Sequence, residues 1–509
     1  MITNETRLFF DVSSLLNHIR HSGHYTGIQR VVSMLVSEIG EIHTASNVFI
    51  TYLDRKDRKH KCVSLEDLGS KVMRSPALLQ AAFFERTTLE TSDVILQRYA
   101  TKPLKLKFYK FQFDIFAKMG KNRKFKRFGI TADEWIKIRK SEKNFSVKNL
   151  AEPHLVADMM RSGDRLVLLD STWNERYFST FKRARDAGCH VYTLVHDLIP
   201  IISPETTPGF LPLDFERWIT GSLDFTDSYL TVSHATRRDL EIFLDQFGED
   251  REIRVLSLAQ DRFDDENKIQ ASRQFSENES LGKQHDRLKC LPDLGTIIHL
   301  SDATREALGS PYVLCVGTVE PRKNLWRLAL AWKSLIDQGH VDLPRLVIAG
   351  KQSVMIQSLK DLLHATGNIY GYVSVLESPS EEALTRLYKN CLFLAMPSLF
   401  EGWGLPVGEA LSFGKTAVVS NSSSLPEVGG NMVEYCDPES VKSIADAVLR
   451  LVADTDHREA LEARIRETEL RSWHMVAKDL YEITVLGSGT ELTGDALPVT
   501  QTSNELPEI

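Results

Sequence analysis

The chain has 509 residues, a hydrophobic content of 42% and a charged content of 26%, values of an ordinary soluble protein with room for two large domains. Its net charge of −7 gives no overall case for nucleic-acid binding. Six scattered cysteines without a CxxC pair disfavour a disulfide framework or a zinc site. No apolar run reaches the roughly 18 residues of a membrane-spanning helix, and no signal-peptide core is present, so we expect a cytoplasmic protein.

The first predicted unit is a strand at residues 8–12, a loop and a helix. Thr26 and Gln29 have the spacing of a capping box, and apolar residues from Ile28 to Ile39 repeat on one helical face. Gly27 lies in the first helical turn, where backbone N–H groups and the helix dipole favour an anion. Many first β–α units look like this without a ligand, so the pattern alone is weak evidence.

Residues 45–160 are less regular and contain a basic, aromatic stretch at 102–127. It has ten lysines and arginines, the first Lys102 and the last Arg127, against the single acid Asp114. Aromatics that alternate with lysines suit the surface of an anionic bilayer. A charged surface packed on the domain, a nucleic-acid patch and a protein docking site are the alternatives that the pattern leaves open.

Regular α/β alternation resumes at residue 165. Strands are predicted at 166–169, 191–195, 230–232 and 253–258, with helices at 177–187 and 236–247. His196 and Asp197 stand at the carboxyl end of one strand, where the histidine could bond a substrate hydroxyl or be satisfied by backbone. Residues 261–307 are polar and irregular, which indicates a linker with an insertion.

The second half has clearer strands, at 312–316, 346–349, 392–396, 416–420 and 433–435. Ser378 is predicted to open a helix that ends near residue 389, and 438–452 and 464–481 are predicted amphipathic helices. A glycine loop after the strand at 392–396 carries Glu401, and the helix after it carries Glu409. Asp454 and Asp456 form a DxD on a surface helix, for which we do not favour metal binding. No GxxxxGK[ST] loop is present, which argues against a P-loop NTPase.

Several strings resemble a known enzyme family. GTVEPRKN (317–324), PSLFEGWGLPVGEA (397–410) and SSLPEVGG (423–430) resemble the donor half of family 4 glycosyltransferases. TGIQRVV (26–32), VHDLIPI (195–201) and TVSHATRRDL (231–240) resemble the acceptor half of bacterial mannosyltransferases of that family. The resemblance covers most of residues 7–485 and weakens at 45–160 and in the linker.

The resemblance implies an α/β protein of GT-B fold, with two facing Rossmann-like domains and the active site between them. The acceptor-side domain would be residues 1–260, with a basic and aromatic insertion at about 60–160. The donor domain would be 308–463, beyond the linker at 261–307. A helix at 464–485 would return to the first domain through Trp473 and Leu480, and 486–509 would be a disordered tail.

The resemblance also implies roles for individual residues. Lys323, with Arg322, would hold the donor diphosphate, because a fixed cation offsets the charge that the leaving group gains. Glu401 would contact sugar hydroxyls and Glu409 the ribose. One departure is Thr318, where many relatives have a basic residue. The remaining candidates are the backbone of Gly402, Trp403, Gly404, Leu405 and Gly27 around the phosphates, His196 on the sugar, Asp197 orienting that histidine, and Glu427 near the nucleotide.

The function that follows is a retaining, metal-independent transferase without a cofactor. Its best donor is GDP-mannose, and its acceptor is a growing, lipid-linked bacterial surface polysaccharide such as an O antigen. The alternatives are a UDP-sugar-dependent transferase or synthase of the same fold and a non-catalytic assembly scaffold. Binding to the inner face of the cell membrane through 102–127 is a further expectation, nucleic acid is not an expected partner, and the oligomeric state is open.

Overall fold

The structure is a computed structural model. It describes residues 6–20, 22, 25–54, 57–84, 103–125, 131–133, 135–136, 139, 153–173, 177–261, 300–340, 342–353 and 355–487. Most of the predicted linker and tail, together with Lys102 and Arg127, lies outside the described residues.

The first half forms an eight-stranded sheet. In chain order its strands are β1 (Leu8–Asp11), β2 (Val48–Leu53), β3 (His60–Ser64), β4 (His154–Leu155), β5 (Arg165–Leu168), β6 (His190–Val195), β7 (Ser228–Thr231) and β8 (Glu252–Val255). They lie in the order β4-β3-β2-β1-β5-β6-β7-β8. All neighbours are parallel except β2 with β3 and β3 with β4. The α-helices described in this half are Ser13–Ile19, Gly27–Ile42, Leu65–Leu68, Ser70–Met73, Pro76–Phe84, Pro103–Lys118, Val156–Met159, Phe178–Asp186, Ile199–Ile202, Leu211–Ser222 and His234–Asp245.

The second half forms a six-stranded parallel sheet. Its strands are β9 (Tyr312–Val316), β10 (Arg345–Gly350), β11 (Val373–Glu377), β12 (Leu394–Met396), β13 (Ala417–Ser420) and β14 (Glu434–Cys436). They lie in the order β11-β10-β9-β12-β13-β14. The α-helices described in this half are Asp302–Leu308, Leu325–Asp337, Gln357–Ala365, Gly367–Tyr370, Glu381–Asn390, Leu405–Ser412, Leu425–Gly429, Val441–Ala453, Thr455–Glu467 and Trp473–Tyr481, the last continued by a π-helical turn at Glu482–Leu486.

One apolar core joins the two sheets. It contains Phe10 and Val32 from the first half and Leu314, Trp403 and Val407 from the second, all buried. A second cluster covers the far face of the second sheet, and two more cover the far face of the first. The carboxyl ends of β6 and β12 therefore face each other across a packed boundary, which is where parallel sheets bind ligands.

Three expectations about helices need correction. The helix expected to begin at Ser378 is Glu381–Asn390, because the Ser380 hydroxyl accepts from the Ala383 N–H and caps it two residues later. The helix expected at 464–481 is two helices, Thr455–Glu467 and Trp473–Tyr481, with a break at 468–472. The end of the predicted linker contains the helix Asp302–Leu308.

The DxD has a structural role. Asp454 accepts from the His457 N–H and caps the helix Thr455–Glu467, as short acidic side chains do at helix starts. Within the described ranges, no three histidine, cysteine or acidic side chains are grouped to hold a metal ion.

The last helix, Trp473–Tyr481, packs on the helix Gly27–Ile42 of the first half, with Trp473 and Leu480 buried. The chain segments that pass between the halves lie side by side, because the Gln260 N–H donates to the Arg471 carbonyl at 2.8 Å. The Arg471 N–H donates in turn to Gln260 Oε1 at 3.2 Å.

The basic stretch contains the helix Pro103–Lys118. Phe113 packs on Phe125 and Trp135 in a small separate core. None of the helices in the described part of the chain is long and apolar enough to cross a membrane.

Candidate active site

Glu401 lies at the centre of a buried charge cluster, in the loop after β12. Its Oε1 accepts from Lys323 Nζ at 2.6 Å and its Oε2 from Arg322 Nη1 at 2.7 Å. Burial alone would raise the pKa of this carboxyl, but the adjacent Arg322 and Lys323 outweigh it and lower the pKa to about 2. Glu401 is therefore an ionised hydrogen-bond acceptor at neutral pH.

The turn after β9 positions both cations. Pro321–Lys323 is a 3-10 turn, and Asn324 follows in the left-handed region with φ of 59°. The Asn324 amide donates to the Pro397 and Pro438 carbonyls, so two neighbouring loops fix the turn. Thr318 is exposed in the same segment. The cations are consequently preorganised, and Glu320 gives Arg322 a second carboxylate at 2.7 Å.

The glycine loop brings the two halves of the chain into contact. A Cβ atom at Gly402 would overlap with the carbonyl oxygen of His196. Gly404 adopts φ of 108° and begins the helix Leu405–Ser412, whose first N–H groups have no side-chain cap. A Cβ atom at Gly27 would lie 3.8 Å from Leu405, so the helix Gly27–Ile42 of the facing half also begins at this loop. The two helix starts provide the backbone N–H groups that an anion requires.

Trp403 has a structural contact besides its place in the loop. Its indole N–H donates to the Ala259 carbonyl at 3.1 Å, and its side chain is buried in the core that joins the halves. Only its backbone remains a candidate for the predicted phosphate cradle.

Glu409 pairs with Arg30 from the facing half. The Arg30 guanidinium bonds Glu409 Oε1 and lies 3.5 Å from Glu381. Glu409 is buried within the first helical turns after the loop. The carboxylate predicted to bind ribose is thus held across the boundary between the halves.

His196 and Asp197 follow β6 and do not bond each other. His196 Nε2 donates to the Leu169 carbonyl at 2.8 Å, which makes Nδ1 the hydrogen-bond acceptor. Burial lowers the pKa of His196 to about 4, so its ring is neutral at pH 7. Asp197 Oδ1 accepts from the Ile199 N–H at 3.1 Å, so the backbone, and not Asp197, orients the histidine. Burial raises the pKa of Asp197, and Arg322 opposes that shift.

Glu427 is placed at a helix start of the facing half. Its two carboxylate oxygens accept from the His234 and Ala235 N–H groups, each at 2.8 Å. A carboxylate stabilises a helix N-terminus in this way. The structure shows Glu427 joining the two halves; its predicted contact with the nucleotide stays a prediction.

The sequence analysis did not identify two residues that hold the halves together, Arg30 and Gln260. Arg30 lies inside the motif TGIQRVV, where a charge between Ile28 and Val31 interrupts an apolar run. That interruption was the available signal. Gln260, whose amide donates to the Val428 carbonyl at 2.6 Å, gave no signal because its partners are distant in the chain.

The chain is similar to known proteins in both sequence and fold. Residues 299–468 match the family described as glycosyl transferases group 1. We call residues 299–468 the group 1 domain after this match. The group 1 domain contains Arg322, Lys323, Glu401, Glu409 and Glu427.

Relatives and solved structures extend the comparison. The O-antigen chain mannosyltransferase B of Escherichia coli is 29% identical over 282 residues, which are 55% of this chain and 66% of that protein. The serotype-specific mannosyltransferase WbdA of E. coli is 26% identical over 264 residues, 52% of this chain and 30% of its own length. The chain thus spans just under two thirds of one relative and less than a third of the other. A solved structure of Anabaena HepE with UDP has a TM-score of 0.51 and 12% identity, and covers 94% of this chain and 99% of its own.

The predicted architecture is confirmed. A mixed and a parallel sheet, each covered by helices, meet with carboxyl ends of their strands across one cleft, and the structural neighbours are GT-B glycosyltransferases. The exact domain boundaries and the roles of individual site residues stay predictions.

Proposed function

We propose that the protein is a retaining glycosyltransferase that moves mannose from GDP-mannose to a growing, lipid-linked bacterial surface polysaccharide. The observation that carries the proposal is the cluster of Glu401, Lys323 and Arg322 inside a group 1 domain. The E. coli relatives, named as O-antigen chain and serotype-specific mannosyltransferases, support the choice of sugar and product.

The chemistry follows from the charges. When the bond between the sugar and the diphosphate breaks, negative charge develops on the leaving oxygen. Lys323 and Arg322 are fixed cations in a water-poor site, where they stabilise that charge strongly. The N-terminus of the helix Leu405–Ser412, which has no side-chain cap, adds a dipole of the same sign. In this proposal the two side chains do the work that a metal ion does elsewhere, so no metal is required.

Glu401 has the complementary role. Its carboxylate is ionised and positioned by two cations, and it accepts hydroxyls of the donor sugar. His196 Nδ1 accepts from the sugar on the opposite side of the cleft, because its Nε2 is already committed to Leu169. Orientation of the anomeric carbon between these groups lowers the entropic part of the barrier.

The test is a transfer assay with the full-length protein and matched GDP- and UDP-sugars. We expect transfer and slow hydrolysis with GDP-mannose, with the product's α or β configuration read by NMR. Turnover with a UDP-sugar alone would show that the donor is that UDP-sugar and not GDP-mannose. The absence of both turnover and nucleotide binding with every sugar nucleotide tested would favour a non-catalytic scaffold and overturn the proposal.

We also propose that the helix Pro103–Lys118 places the enzyme on an anionic membrane, on the cytoplasmic side where nucleotide sugars are available. Four apolar side chains at helical spacing are exposed, namely Phe108, Phe111, Ile115 and Met119. Exposed lysines accompany them, including Lys105, Lys107, Lys118 and Lys121. An apolar stripe beside cations fits the interface of an anionic bilayer.

Vesicle co-sedimentation tests this contact. We expect binding to vesicles with anionic lipid, weaker binding to neutral vesicles, and loss when Lys105, Lys107, Lys118 and Lys121 are changed to glutamine. Substituting Lys389 and Lys442 on the group 1 domain is the control. Equal binding by both variants would contradict the proposal.

A further inference from the structure

A cavity of ≈160 Å³ opens between the halves beside the Glu401 cluster. The group 1 domain contributes Glu320 and Arg322, and Arg322 also bonds Glu401. The first half contributes the remaining wall, so the cavity reaches the proposed donor site from the opposite side. In this wall His196 is predicted to contact the donor sugar and Asp197 to orient it, whereas no role is predicted for the aromatic side.

One side of the cavity is aromatic. Trp173 stands 5.4 Å from Phe215 and 6.3 Å from Trp218, measured between ring centroids. Phe215 and Trp218 are buried, whereas Trp173 is partly exposed. The Trp218 indole N–H donates to the Thr172 hydroxyl at 3.0 Å, which fixes the cluster. Trp173 is therefore a rigid apolar surface supported from behind.

The other side is polar and rich in acceptors. His196 lines this side, but its Nδ1 is the acceptor that we propose for the donor sugar. Asp197 Oδ1 accepts from the Ile199 N–H, and Oδ2 has no hydrogen bond to any residue that the structure describes. An aromatic surface opposite an unused carboxylate oxygen matches a sugar ring, which has a C–H face and a rim of hydroxyl donors.

The size of the cavity limits the occupant. It lies below the roughly 300–1,000 Å³ typical of drug-sized ligands and well above the ~30 Å³ of one water. One ring fits, and an extended glycan does not. We infer that this cavity binds the terminal sugar ring of the acceptor glycan, with Trp173 as its stacking surface and Asp197 as a hydroxyl acceptor. The inference rests on the proposed function for the identity of the acceptor.

In the first half, the walls that the structure describes come from Trp173, the end of β6 and the segment 199–218, with Ile28, Asp170 and Ser171 beside them. Acceptor choice at the reacting ring is therefore set next to the donor site. Charge supports the assignment: a neutral ring with many donors suits Asp197 better than a second phosphate would.

Trp173→Ala tests the inference kinetically, with Trp173→Phe as the conservative variant and Trp326→Ala as the matched control. Trp326 is an exposed indole on the group 1 domain, outside the cavity. With a mannose-terminated oligosaccharide as acceptor, we expect Trp173→Ala to raise the acceptor KM about 10-fold, the donor KM less than about threefold, and the phenylalanine variant to recover most of the loss. An acceptor KM equal to that of Trp326→Ala, or a loss confined to the donor KM, would overturn the inference.

A binding experiment separates the subsite from the reaction. Saturation-transfer NMR with mannotriose needs no turnover, and melting curves show that each variant is folded. If no nucleotide sugar is used but mannotriose binds the wild type and not Trp173→Ala, the proposed function fails and the sugar subsite stands. If transfer occurs while mannotriose binds both proteins equally, the subsite fails and the proposed function stands.

Discussion

Glu401 and Glu409, separated by seven residues, lie in different surroundings. The partners of Glu401 are Lys323 and Arg322, both from its own domain and held by one turn. The main partner of Glu409 is Arg30, from the facing half. The charged partners at the sugar end of the proposed donor site thus come from one domain, whereas the ion pair at the ribose end forms only when the two halves are together.

The largest expected effect comes from removing the charge of Glu401. Glu401→Gln leaves the buried Lys323 without its carboxylate partner and Arg322 with Glu320 alone, so we expect transfer to fall by roughly 10²–10³-fold and the free energy of unfolding by about 3 kcal/mol. Initial rates and urea unfolding measure these. Glu439→Gln, which breaks an exposed pair with Arg327, is the control and should cost less than about 1 kcal/mol. Equal effects in both variants would contradict a preassembled sugar end.

The next effect tests the boundary itself. Gly402→Ala introduces a Cβ atom onto the His196 carbonyl, so the halves must separate and we expect a rate loss of roughly 10²-fold. Gly209→Ala is the control, because a Cβ atom there meets nothing within 4 Å. Transfer rates and circular dichroism of both variants check this. A fully active Gly402→Ala would show that the close contact is dispensable.

A smaller effect is expected at the ribose end. Arg30→Gln removes the charge that holds Glu409, so we expect the donor KM to rise about 10-fold with a smaller change in kcat. Arg74→Gln is the control. Arg74 pairs with Glu38, which lies on the same helix as Arg30 but away from the cleft. If kcat falls and the donor KM does not change, Arg30 acts on the chemistry and the contrast between the two carboxylates needs revision.

The smallest effect concerns pH. Since folding lowers the pKa of His196 from 6.5 to about 4, its contribution to stability is fully present above pH 6.5 and is lost as the pH falls toward 4. Burial also lowers the pKa of His60 to about 4, so the contribution of His60 to stability falls with pH in the same way. We expect urea midpoints to fall between pH 6.5 and 4, and to fall less steeply in His196→Asn. A parallel decline in both proteins would show that His196 is not held neutral.

The second sheet was largely predictable from the sequence. Its strands are buried on both faces and read as apolar runs, and the predicted strand at 312–316 coincides with β9. The first sheet was less so. β3 and β4 form its antiparallel edge, where His60, Lys61 and His154 break the apolar pattern, and the region had no predicted strands.

The site divides in a similar way. Lys323, Glu401 and Glu409 were found because their motifs are local. The partners of Glu427 and Glu409 lie 193 and 379 positions away in the chain, so sequence spacing could not reveal them. Trp173 was missed for the same reason, because its aromatic neighbours and the group 1 domain meet only in the folded chain.

The paired segments at Gln260 and Arg471 have a mechanical consequence. Gln260 lies at the end of the described first half, Arg471 lies in the segment that returns from the second half, and the two are hydrogen-bonded to each other. The last helix packs on the first half, so this pair fixes the two halves to each other at one described point of the boundary. A change in the angle between the halves about that point would alter the distance between Gly402 and His196.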